Sequence, residues 1–152
     1  MFKSKNTSTV KGVYQSIIDN SRSKIFYMDF DIDDSFESRF DLVILHSFII
    51  FQYFIEIGDK KNKLSQSLFD FMFHDFENNL REMGFGDIAV NKKMKVFITA
   101  FYGRIAQYSK GIDVYKANGD KSLLQQTILN NIYKGDETLK HHINYFIDYI
   151  IY

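Results

Sequence analysis

The sequence predicts an all-α protein, a single compact domain of about six helices joined by short loops. Three observations carry this. The 152 residues contain no proline. The glycines fall almost entirely between periodic segments, where helices stop. Apolar residues recur at three- and four-residue spacing along most of the chain. With 45% hydrophobic and 17% aromatic residues, 16 Phe and 10 Tyr among them, one domain over residues 1–152 can bury roughly 70% of its unfolded surface. Residues 1–8 are polar and are expected to be flexible.

The first helix is expected over 9–20, with Val10, Val13, Tyr14, Ile17 and Ile18 on one face. An irregular acidic segment, KIFYMDFDIDD, follows. Asp34 precedes Glu37 by three residues, a capping-box spacing, and opens a second helix over 35–57. Phe36, Phe40, Val43, Ile50, Phe51 and Phe54 form one apolar stripe along it; Leu42, Ile49 and Tyr53 form another. A helix apolar on two sides is packed from both directions. Its run LVILHSFIIFQYFIEI is too short for a membrane span and is interrupted by polar residues, so it reads as a core helix.

The third helix, 64–83, places Leu68, Phe69, Met72, Phe73, Phe76, Leu80 and Met83 on one face and Asp70, His74, Glu77 and Arg81 on the other. Phe71 falls on the polar side, where burial in its own core does not account for it. Next comes GFGD. A helix ending at Met83 puts Gly84 at the left-handed C′ position and lets Phe85 contact Leu80, a Schellman closure, with Asp87 as N-cap of the fourth helix. A phosphate loop would need a strand before the glycines, so GFGD turns the chain.

The fourth helix, 88–110, carries the stripe Val90, Met94, Phe97, Phe101, Ile105 and Tyr108. Thr99, Gly103 and Ala106 lie opposite and would let another helix approach closely. Arg104, at the edge of the stripe, needs an acidic partner, for which Asp75 or Glu82 on the third helix are nearest. Two last helices are expected over 120–133 and 136–150, with Asp120 and Asp136 as N-caps.

Net charge is zero and the isoelectric point about 6.9, which speaks against nucleic acid as a partner. Absence of cysteine excludes disulfides and thiolate chemistry. The polar start MFKSKNTSTVKG has no apolar core of a secretory signal, and a cytoplasmic location is expected. Asp70, His74 and Glu77, with His46, offer the outline of a metal-dependent helical-bundle enzyme. A solvated face of Asp70–His74 and Glu77–Arg81 pairs explains the same residues, and His46 reads as a satisfied core histidine. The remaining histidines are the pair His141 and His142. No catalytic residue, metal or cofactor is expected. Acidic Asp29 to Asp41 and basic Lys60, Lys61, Lys63 and Lys92, Lys93, Lys95 would make two poles, suited to a partner or an anionic membrane edge.

Three stretches, SRFDLVILH at 38–46, LFDFMFHDFENNLREMGFGDIAV at 68–90 and AFYGRIAQY at 100–108, resemble the ubiquinol–cytochrome c chaperone family, assembly factors of the cytochrome bc complex (respiratory complex III). SRSKIFYMDFDIDD at 21–34 and LLQQTILNNIY at 123–133 agree more weakly. The family commonly has a proline before the acidic turn and a glycine before Arg-Phe; FDIDD and Ser38 stand here instead, which puts local loop shape in doubt. The resemblance implies a non-enzymatic chaperone for newly made cytochrome b, working with a small partner subunit at the inner membrane face. The family-type positions are Arg81, Glu82, Gly84, Gly86 and Asp87, with Phe101, Tyr102, Gly103 and Arg104. Gly84, Gly86 and Phe101 read as structural. The expected partner-binding residues are Phe71, Arg81, Glu82, Asp87, Tyr102 and Arg104.

Overall fold

The computed structural model describes residues 2–58 and 63–151, with side chains from Thr9 onward. Lys60 and Lys61 of the first basic cluster lie outside the described residues. The described chain folds into seven α-helices and one 3-10 turn without strands: α1 Phe2–Ser21, α2 Lys24–Met28, α3 Phe36–Glu56, α4 Lys63–Glu82, α5 Asp87–Asn118, α6 Ser122–Ile132, the 3-10 turn Glu137–His142, and α7 Ile143–Ile151.

The core helix is α3, touched by α1, α4, α5 and α6. Every residue from Phe40 to Phe48 is buried, so over more than two turns the helix has no solvent face, as its double stripe predicts. Burial of its polar groups costs stability unless each is partnered. Ser47 Oγ donates to the Val43 carbonyl at 2.7 Å. His46 Nδ1 lies 2.7 Å from the Leu42 carbonyl, and its Nε2 lies 2.8 Å from the Tyr149 hydroxyl of α7. The geometry fits one tautomer: Nδ1–H donates to the carbonyl and Nε2 accepts from the phenol. Burial holds the imidazole pKa below its ordinary value, as expected of a satisfied core histidine.

The GFGD elbow closes as a Schellman motif. Gly84 has φ +95°, Phe85 N–H donates to the Leu80 carbonyl at 3.2 Å and Gly84 N–H to the Arg81 carbonyl at 3.0 Å. The N-cap of α5 is Gly86 rather than Asp87; Asp87 occupies the first helical position and pairs with Arg81.

Other boundaries differ from the sequence reading. α1 begins at Phe2, and the short α2 forms within the acidic segment because Phe26, at 3% exposure, anchors it in the core. The cap of α3 is Ser35, whose hydroxyl accepts from Ser38 N–H, while Asp34 instead pairs with Arg39. Asp120 assists α6 from one residue outside its cap, accepting from Ser122 N–H at 2.9 Å. Asp136 caps the 3-10 turn, accepting from Thr138 N–H. That turn buries none of its residues, so α7 starts only where Ile143, Phe146 and Ile147 reach the core.

The largest departure is α5, which runs through Gly111 to Gly119, a left-handed C-cap at φ +74°. Helix interiors tolerate glycine when packing requires it, and here α6 crosses at that residue: a Cβ on Gly111 would lie 3.1 Å from Leu124 Cα. The close approach expected at Thr99, Gly103 and Ala106 is not made among the described residues; all three are exposed, and a Cβ on Gly103 would meet none of them within 4 Å. The two glycines should therefore respond oppositely. Gly103→Ala should raise unfolding free energy by about 0.5–1 kcal/mol through helix propensity. Gly111→Val should lower it by about 1–3 kcal/mol through overpacking against α6. Urea denaturation of both variants measures this; similar responses would contradict the α5–α6 crossing.

Candidate partner-binding groove

Helices α1 and α4 lie side by side and the N-terminal half of α3 passes beneath them. Between them opens a cleft of about 510 Å³, within the range of ligand-binding clefts. Phe40, Val43, Phe76 and Leu80 form its floor and Tyr14, Ile18 and Phe71 its walls. Tyr14 and Phe71 meet edge-to-face with ring centroids 5.4 Å apart. Its lips are apolar and exposed, Phe36 at 64% and Met83 at 72%. Lys11 of α1, Arg22 in the turn just after it and Arg39 of α3 add positive charge to the rim. Arg39 is neutralised by Asp34 at 2.6 Å; Lys11 and Arg22 form no ion pair among the described residues.

One polar contact fixes the wall. Tyr14 Oη donates to Asp75 Oδ2 at 2.7 Å. Burial, and then the Asp75 carboxylate, push the phenol pKa well above its usual value, so it stays protonated as a donor.

The six expected contact residues fall in separate places. Phe71 is in the groove wall, half-buried against α1, so packing within the chain does account for it. Arg81 lies at the elbow, reaching Glu77 at 3.0 Å and Asp87 beyond it; Glu82 is exposed beside them. Tyr102 is 51% exposed on α5, stacked on Phe69 of α4 with centroids 4.8 Å apart.

Arg104 is not paired with Asp75 or Glu82. Its guanidinium lies 2.8 Å from Asp41 Oδ1 on α3, because α5 turns this face toward the core helix. The approach is off the direction of a hydrogen bond, leaving that oxygen attracted but without a hydrogen-bond donor. The neighbouring Tyr108 hydroxyl is likewise without a partner in the core. Burial pushes the Asp41 carboxyl up to about 6, Arg104 drawing it the other way.

Phe36, Met83 and Tyr14 were missed as groove residues. In the sequence they are members of core stripes, and only the end positions of Phe36 and Met83 in those stripes hinted at exposure. The groups weighed as an alternative metal outline are engaged separately. Glu77 is engaged by Arg81, Asp70 accepts from Gln66, and His46 is held in the core. Among the described residues, three potential ligand side chains come together at Asp31, His141 and His142.

A family model described as ubiquinol–cytochrome C chaperone matches residues 28–151. Two curated relatives carry the name ubiquinol–cytochrome c reductase complex assembly factor 1. The mouse protein is 23% identical over 133 residues, covering 88% of this chain and 45% of its own length. The human protein is 22% identical over 138 residues, covering 91% and 44%. The chain therefore spans less than half the length of either. A crystal structure of a Cbp3 homolog from Brucella abortus superposes with a TM-score of 0.75 at 31% identity, covering 95% of this chain and 78% of that one.

The shifted carboxyl has a testable consequence. The folded pKa of Asp41 exceeds its unfolded value, so its stabilising contribution is full below about pH 4 and is lost as pH rises through 6. The unfolding free energy of the native protein minus that of Asp41→Asn should fall by about 2–3 kcal/mol between pH 4 and 7. Denaturant titrations at both pH values give this difference; one that does not change with pH would show that Asp41 is unperturbed.

Proposed function

The chain belongs to the ubiquinol–cytochrome c chaperone family, and from this premise we propose that it is a non-enzymatic assembly chaperone that holds a segment of newly made cytochrome b in the groove between α1, α3 and α4. The observation that carries this reading is the open aromatic cleft with its exposed lips, Phe36 and Met83. Large apolar side chains left in water mark interaction sites, and an apolar helix face laid into such a groove is a recurrent recognition mode. Lys11 and Arg22 on the rim favour an acidic flank on the client. Aromatic and aliphatic lining, with Tyr14 locked as a protonated donor, supports binding rather than catalysis. Arg81, Glu82, Asp87 and Tyr102 lie outside the groove, and we assign them to a second contact, with a small partner subunit. Arg104 acts through Asp41, fixing α5 to α3.

A peripheral site at the inner membrane face fits α5. Ile88, Lys92 and Val96 recur every four residues and all are exposed, with Lys95 beside them. Apolar residues and lysines on one exposed face suit the headgroup region of an anionic bilayer. A Lys92→Glu, Lys95→Glu variant should lose most binding to anionic vesicles in a flotation assay; undiminished flotation would remove this surface from the proposal.

Affinity capture from gently solubilised host membranes tests the client. Tagged native protein should enrich cytochrome b. A Phe36→Asp, Met83→Asp variant, altered only at exposed lips, should lose at least tenfold of it with unchanged circular dichroism. Arg81→Glu and Tyr102→Ala should retain it. Capture that survives the lip variant but is lost in the latter pair would move the client to the elbow and α5. Failure of the native protein to enrich cytochrome b, while other subunits of the complex are captured, would replace the client.

A further inference from the structure

We propose that Asp31, His141 and His142 form a binding site for a divalent transition metal of the zinc type, which would clasp the α2–α3 link to the turn before α7. Their ligand atoms all lie within 4.8 Å of one another. Donors about 2.0–2.2 Å from a common zinc ion lie roughly 3–4 Å apart, so side-chain rotations bring the three to coordination distance. Two imidazoles and a carboxylate suit zinc, cobalt, nickel or copper rather than the all-oxygen shells of magnesium or calcium. Solvent fills the remaining coordination positions.

The site is prepared by its surroundings. His142 has a side chain only 13% exposed. Its ring stacks on Tyr133, tilted by 21°, and meets the edge of Phe30 at 5.5 Å. That packing aims Nε2 at Asp31 Oδ2, 2.9 Å away. Asp31 is held in the left-handed region at φ +55°, a conformation unfavourable for most residues and tolerated by Asp and Asn. Two bonds flank it: Tyr133 Oη to the Phe30 carbonyl at 2.8 Å and Ile32 N–H to the Phe26 carbonyl at 3.2 Å. His141 is exposed, and its ring centre lies 4.0 Å from that of His142. The two rings thus lie on one side of Asp31, where a metal accommodates both as neutral ligands. On binding through Nε2, the neutral imidazole of His142 carries its one proton on Nδ1, and the His142–Asp31 contact gives way to two metal–ligand bonds.

Metal binding at this site does not depend on the client. Chelator-treated protein would be titrated calorimetrically with zinc chloride, and with cobalt chloride while recording the visible spectrum. One zinc per chain is expected, with a dissociation constant at or below the micromolar range and a thermal midpoint raised by several degrees. His141→Ala, at an exposed position, and Asp31→Asn, which keeps the left-handed backbone accessible, should each weaken binding at least tenfold and abolish the cobalt bands. His74→Ala should leave both unchanged. No zinc binding by the folded native protein, or binding insensitive to His141→Ala and Asp31→Asn, would overturn the site.

Discussion

The rest of this structure depends on α3 being buried on all sides. A helix of Leu, Val, Ile and Phe through Phe48 forces neighbours onto every face. Its polar residues then distinguish those faces. Asp41 meets Arg104 of α5. His46 meets Tyr149 of α7 on one side and lies 3.3 Å from Ser21 of α1 on another. Apolar packing alone would accept several arrangements of helices around such a rod. A buried polar group accepts few, because each wrong neighbour leaves it unpaired. In this protein the three polar contacts act as addresses for three different helices.

That arrangement also explains the groove. α1 and α4 pack on each other and both rest on α3, but beyond Phe40 the core helix loses its all-round cover and emerges at the exposed Phe36. The aromatic surplus of the chain collects there. Phe36 and Phe40 face Phe97 of α5 at 5.7 and 5.2 Å between ring centres, closing the far end with a ring cluster rather than with another helix. The same helices that complete the core thus leave an apolar opening at one end of it.

Much of the fold was legible in the sequence because its signals are local. The two-sided apolar pattern of α3 and the Leu80, Gly84, Phe85 closure are decided within a few residues; the closure forms as read, and the stripes are buried through the middle of α3 but reach solvent at Phe36 and Tyr53. The run past Lys110 was not legible: Gly111 reads as a stop until α6 is seen to need the space above it. Arg104 was recognised as needing an acid, but its partner lies 63 positions away on a helix whose rotation no periodicity gives. Phe71 was misjudged for the same reason, since the face called polar on α4 is also the face that receives Tyr14. The family was readable from short motifs. The groove was not, because its lips look like ordinary members of core stripes.

The His46–Tyr149 hydrogen bond has a meaning for how the molecule is made. Its partners are 103 residues apart in the chain, while α1, α3 and α4, which build the groove, all lie within the first 83 residues. During synthesis the groove helices leave the ribosome well before α7. The imidazole buried in their midst must wait for Tyr149, with its acceptor nitrogen unmet or wet, until α7 has been made. Contacts of such long sequence separation form late because loop closure opposes them. The nascent protein thus passes through an interval in which its groove can exist while its centre is still unlatched, and α7 supplies the latch.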